Sequence, residues 1–116
     1  MAARTQTEDR EFKRFIINVK IFDLETNECM GYSANMHSEG MMVMSEKQLS
    51  AGKNYNLIIR HYQEDDEQIE IPLAARCMWS KAGNNPDFFH AGFKFIDPSP
   101  KKILAIDELI WDLAVL

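Results

Sequence analysis

Period-two hydrophobicity, repeated six times with turn-forming residues between the runs and no helical repeat among them, leaves this chain few folds to choose from. Phe15, Ile17, Val19 and Ile21 recur at every second position, as in an extended segment with one buried side. After "DLETNE", Met30, Tyr32, Ala34 and Met36 alternate with Cys29, Gly31, Ser33 and Asn35, and "HSEG" leads into a third run, "MMVMS". Ser50, Gly52 and Lys53 turn the chain before "NYNLIIRHY", in which Tyr55, Leu57 and Ile59 are in step. The acidic run "EDDE" precedes a fifth segment whose Ile69, Ile71, Leu73, Ala75, Cys77 and Trp79 share a side. "KAGNNPD", rich in turn residues, then leads to Phe89, Ala91, Phe93 and Phe95. A parallel sheet needs a crossover between strands, usually a helix. None is written here, so the pattern predicts a mainly β protein, an antiparallel barrel or sandwich.

The tail has a different period. In "DPSPKKILAIDELIWDLAVL", Ser99 suits a helix N-cap and Pro100 the first helical position. Ile103, Ile106, Ile110 and Leu113 recur on one helical side, with Leu104, Leu109 and Trp111 widening it, which predicts a helix over about 99–116. Such a helix must lie on the barrel or on another protomer, so a homodimer through it is one expected arrangement. With 116 residues there is enough chain for one core and one domain.

Charge and cysteine content narrow the function. A net charge of -5 excludes a general DNA or RNA binder, which needs a broad basic face, although a local cluster can still hold a small anion. The two cysteines, Cys29 and Cys77, have neither metal-ligand spacing nor the pattern of a disulfide framework, so no metal is expected and the thiols read as reduced. No window is apolar enough for a signal peptide or a membrane span, which predicts a cytoplasmic protein without membrane insertion. His37, His61 and His90 are scattered and form no nucleophile–base arrangement; no catalytic residue is assigned and no enzyme is expected. Glu64 to Glu67 lack the alternate spacing of a calcium loop and read as a solvated hairpin tip.

Two features remain. Arg10 and Arg14 stand four residues apart just ahead of the first run, and their planar forks suit phosphate oxygens or the O6/N7 edge of guanine. In "NMHSEG", Asn35 can hydrogen-bond a base edge at a strand end, and Gly40 allows a flat ring to approach the backbone closely.

Together with "AARCMW", "FFHAGFKFID" and the terminal helix, "REFKR" and "NMHSEG" make the chain resemble the PilZ domain over nearly its whole length from Arg10. The resemblance implies a six-stranded antiparallel β-barrel with a C-terminal helix, divided into an N-terminal arm (1–14) carrying R-x-x-x-R and a barrel with its helix (15–116). It implies cyclic di-GMP as ligand, no cofactor, and an unidentified protein partner in motility, biofilm or pilus control. Arg10 and Arg14 match the arginines that grip guanine edges and phosphates, Asn35 matches the Asp/Asn of [D/N]-x-S-x-x-G, and Gly40 matches its closing glycine. His37 stands where that motif has Ser, and Ser38 comes one position late, a slip that turns a side chain to the opposite face of an extended segment. His37 still offers one hydrogen bond and, when protonated, attraction for phosphate. The alternative expectation is a PilZ-like interaction module that does not bind nucleotide and works through the C-terminal helix.

Overall fold

The computed structural model describes residues 17–63 and 67–114. Its elements are β1 (Lys20–Asp23), β2 (Cys29–His37), β3 (Gly40–Ser45), β4 (Asn54–Tyr62), β5 (Gln68–Ala82), β6 (Phe89–Phe95) and α1 (Pro100–Ala114). The strands close into a barrel in the order β1-β2-β3-β6-β5-β4, every pairing antiparallel. The fold class is therefore the expected one, and closure leaves no open sheet edge.

Alternation fills the barrel. Ile21, Val43, Leu57, Ile59, Leu73, Ala75, Phe93 and Phe95 all point inward and are buried. Each large apolar side chain so enclosed contributes about 1.5–3 kcal/mol relative to exposure. Tyr55 and Phe93 meet edge to face, their centroids 5.6 Å apart.

Three bulges break the strict period. The register slips between Ile21 and Phe22 against β2, between Ser33 and Asn35 against β3, and between Cys77 and Trp79 against β6. An extra residue reverses which face the following side chains occupy. Met36 is thus buried together with Ser33, while Tyr32, grouped by the sequence with Met36, is 46% exposed. Trp79 likewise leaves the interior side it was expected to share with Ile71 and Cys77 and emerges 37% exposed on the outer surface.

The first strand is shorter than its apolar run suggests. Phe15 lies outside the described residues, and Ile17 and Val19 are buried as predicted, but the ladder begins at Lys20. Ahead of it the Ser33 side chain stands in for a backbone partner. Its Oγ accepts from the Val19 N–H at 3.1 Å and donates to the Ile17 carbonyl, while the Ser33 N–H donates to the Val19 carbonyl at 2.9 Å.

The helix begins as its sequence indicates: Ser99 Oγ accepts the Lys102 N–H at 3.2 Å, and the Ser99 carbonyl accepts the Ile103 N–H at 2.9 Å. Ile106, Leu109 and Ile110 join the barrel core, and α1 packs against β2 and β5. The apolar stripe is narrower than predicted: Leu104 and Trp111, seven residues apart, are 58% and 71% exposed on the opposite side. Val115 and Leu116, included in the expected helix, lie outside the described residues, as do Glu64, Asp65 and Asp66 of the acidic run. No helix among the described residues is long and apolar enough to cross a membrane.

Candidate functional site

The β2–β3 connection is a two-residue hairpin in which His37 pairs with Gly40. His37 Nδ1 accepts the Glu39 N–H at 3.1 Å, and the Glu39 carbonyl accepts the Phe95 N–H at 2.9 Å. An acceptor two residues before the bonded amide is what Ser, Asp and Asn side chains commonly supply in turns, and here imidazole supplies it. An acceptor Nδ1 carries no proton, so the neutral ring holds its hydrogen on Nε2. Gly40 is required by the next strand: a Cβ there would collide with the Phe93 carbonyl oxygen.

Asn35 lies across from Met42 on the outer side of the same hairpin. Its Oδ1 is shielded from solvent and meets no donor among the described residues. An unpaired buried amide oxygen costs about 1–3 kcal/mol, a cost that a donor arriving with a ligand would relieve. Asn35, His37 and Gly40 are thus brought together, whereas Arg10 and Arg14 lie outside the described residues.

Cross-strand register extends the outer surface away from the hairpin in two neighbouring rows. One runs from Asn35 through Met42 and Gly92 to Trp79; the other runs from His37 through Gly40 and Lys94 to Arg76. The Trp79 indole lies directly over Gly92, where a Cβ would collide with its Nε1. Bare backbone at Gly92 gives the ring its seat. His37, Glu39, Met42, Met78, Trp79 and Lys94 line an open cleft of about 290 Å³ on this surface. A cleft of about 380 Å³ around Cys29, Tyr32 and Phe88 at the other barrel end, and a wider one of about 740 Å³ between His61, Ile69 and Leu109, contain none of the predicted site residues.

Nothing among the described residues carries the geometry of a nucleophile and its base. Buried Cys77 has its thiol pushed above the ordinary range by desolvation, partly offset by its hydrogen bond to the Trp79 carbonyl at 3.4 Å, so it is held as the neutral thiol. What the cleft offers is a flat indole, flexible methionines and the Lys94 ammonium, with the Glu39 carboxylate beside them. Sequence reasoning misses Trp79, Gly92 and Lys94 as members of this surface. Strict alternation assigns Trp79 inward, and only the bulge at Met78 reveals otherwise.

The PilZ domain family model matches residues 8–110, a span including both arginines, the hairpin and the first two thirds of α1. The chain belongs to the PilZ domain family. Among solved structures this PilZ chain is similar to the Bacillus subtilis inhibitor of motility MotI/DgrA, at TM-score 0.69 and 18% identity over 85% of this chain and 48% of that one. It thus spans about half the length of that protein. The PilZ domain of CeSA from a cellulose-synthesizing bacterium follows at TM-score 0.58 and 15% identity, covering 87% of this chain and 97% of that one. The PilZ domain of YcgR from Escherichia coli, solved with c-di-GMP, gives TM-score 0.64 and 13% identity over 87% of this chain and 88% of that one. No curated protein matches the sequence at a significant level. At these identities the neighbours speak for the fold.

Proposed function

We propose that this PilZ protein is a non-enzymatic receptor for cyclic di-GMP that passes ligand binding on to a protein partner. The observation that carries the reading is the unpaired Asn35 Oδ1 beside the His37–Gly40 hairpin, next to an open cleft bearing an indole and the Lys94 ammonium. A guanine edge provides N–H donors for that oxygen, and a phosphodiester ring provides the negative charge the cations lack. YcgR, whose PilZ domain was solved with c-di-GMP, supports the choice of ligand.

In this reading Arg10 and Arg14 close over the ligand from the N-terminal side. Covalent reach permits it: Arg14 is three chain steps from Ile17, about 11 Å at full extension, and Ile17 is fastened to Ser33, two residues before Asn35. His37 holds the hairpin where the motif has serine, so its departure preserves the turn. Binding orders the arm against the barrel and changes the surface shown to a partner, a population shift without a catalytic step. Such a receptor works in the cytoplasm on motility, biofilm or pilus machinery. A second reading, an interaction module without nucleotide, draws support from the exposed Leu104 and Trp111 of α1.

Titration calorimetry with cyclic di-GMP at two salt concentrations tests the proposal. Binding that weakens with salt, and is abolished in Arg14→Ala and Asn35→Ala, supports the receptor. Absence of heat from folded protein at millimolar ligand rejects it in favour of the interaction module.

A further inference from the structure

The charges of α1 run against its own dipole. A helix is positive at its N-terminal end and negative at its C-terminal end, so carboxylates favour the first turn and cations the last. In α1 the first turn holds no acid and the last turn no base. Lys101 and Lys102 stand in the first turn instead, and Asp112 stands in the last, four residues after Glu108. Like charges at that spacing are neighbours on the helix surface and repel one another. Asp107, Glu108 and Asp112 are all exposed, and none of them forms a salt bridge among the described residues, where Arg60 and Glu70 do pair. The same side of the helix is apolar at two points. Trp111 is the most exposed large hydrophobic residue among those described, and Leu104 lies two turns before it, about 10 Å along the axis, with Asp107 and Glu108 between. Apolar anchors set among charges, tryptophan above all, are what a protein surface presents to a partner.

A second copy of this chain is a poor match for that face. A two-fold axis sets the helix against itself, either antiparallel, with Asp107 of one copy opposite Glu108 of the other, or parallel, with each residue opposite its own counterpart. Both arrangements bury four carboxylates between the apolar anchors, while Lys101 lies about 9 Å or more away along the axis. The same carboxylates repel an anionic membrane. Closure of the barrel leaves no strand edge for a partner to extend, so the projecting ridge of α1 suits another helix. We infer that the outer face of α1, from Leu104 to Asp112, docks a basic amphipathic helix of another protein. Leu104 and Trp111 receive its aliphatic residues, and Asp107, Glu108 and Asp112 receive its Lys or Arg side chains. Those cations separate the repelling Glu108 and Asp112 and complement the negative end of the helix dipole. Asp112 also lines the wide cleft beside Tyr62 and Ile69, so apolar surface continues past the helix toward the end of β4. The partner chemistry applies to both readings above and needs no nucleotide, so a failure of cyclic di-GMP to bind leaves it unchanged.

Two synthetic peptides of equal length and the same amphipathic helical pattern, one of Leu and Lys and the other of Leu and Glu, serve as probes. Each is titrated into the full chain while backbone amide shifts are recorded, and sedimentation of the chain alone gives its mass. Two double variants accompany the native protein: Leu104→Ser/Trp111→Ser removes the anchors, and Glu108→Lys/Asp112→Lys reverses the charge. All four side chains are exposed, so both variants should keep the native melting temperature, a control run first. The expected result is a monomer whose amides from Leu104 to Asp112 shift saturably with the Leu/Lys peptide, bound about ten-fold or more tighter than the Leu/Glu peptide. Each double variant should weaken that binding by about ten-fold or more. Equal affinity for the two peptides, shifts confined to residues outside α1, or no saturable binding of the Leu/Lys peptide overturns the inference. So does a native dimer that Leu104→Ser/Trp111→Ser dissociates, since the face would then belong to a second copy.

Discussion

Replacing Ser33 by alanine isolates the interaction that fastens the beginning of the barrel. Ser33 is 0% exposed, and its hydroxyl serves two buried backbone groups, the Val19 N–H and the Ile17 carbonyl. Alanine fits the space but supplies neither partner. Ile17 and Val19 are themselves buried, so water has poor access to the orphaned groups. Each costs about 1–3 kcal/mol when left unpaired, and some relaxation of the strand lowers the sum, giving an expected loss of about 2–4 kcal/mol. With a urea slope of about 1–3 kcal/mol/M for a domain of this size, the midpoint should fall by roughly 1–2 M. Urea unfolding followed by circular dichroism measures it, and hydrogen exchange should show Val19 losing protection ahead of the β4–β5 ladder. The reasoning fails if the loss stays below about 0.5 kcal/mol with an unchanged slope, because then the hydroxyl would not be supporting those groups.

Gly40→Ala forces a Cβ into the Phe93 carbonyl oxygen, well inside van der Waals contact, so β3 and β6 must part. A stability loss of about 2 kcal/mol or more is expected by calorimetry; an unchanged melting temperature would contradict the close approach. His37→Asn retains an acceptor for the Glu39 N–H and should keep native stability, whereas His37→Ala should lose about 0.5–1.5 kcal/mol; equal stabilities would show that the Nδ1 bond does not hold the turn. Cys29 is exposed and should react at once with a thiol reagent, while buried Cys77 should react only on unfolding. Burial raises the Cys77 thiol above its ordinary value, so at alkaline pH the unfolded chain releases a proton that the folded chain keeps. Stability should then fall as pH rises through the ordinary thiol range, and urea midpoints at neutral and alkaline pH should converge in Cys77→Ala.

Much of the barrel was legible because alternation is a local property. A residue such as Val19, between Asn18 and Lys20, or Tyr55, between Asn54 and Asn56, has an apolar side to bury whatever its partner strand, and turn residues such as those of "KAGNNPD" mark where the chain reverses. The Ser99 cap was legible for the same reason, since its bonds span only a few residues. Tyr32 and Trp79 escape the alternation rule because a bulge arises from the mismatch between two strands distant in sequence, and neither strand alone contains it. Trp111 and Leu104 lie on the far side of the helix because an apolar stripe this wide does not reveal which arc meets the barrel.

The candidate site divides along the same line. Asn35, His37 and Gly40 are close in the chain, so their shared hairpin follows from spacing, and the PilZ resemblance could be read from the motifs themselves. The cleft that brings His37, Met78 and Lys94 together and the indole seated on Gly92 arise only when β3, β6 and β5 are laid side by side. Local alternation and turn chemistry set each segment's conformation through interactions a few residues long. Which side chains share a surface is set by register between segments far apart in the chain, and that depends on how the closed barrel packs as a whole.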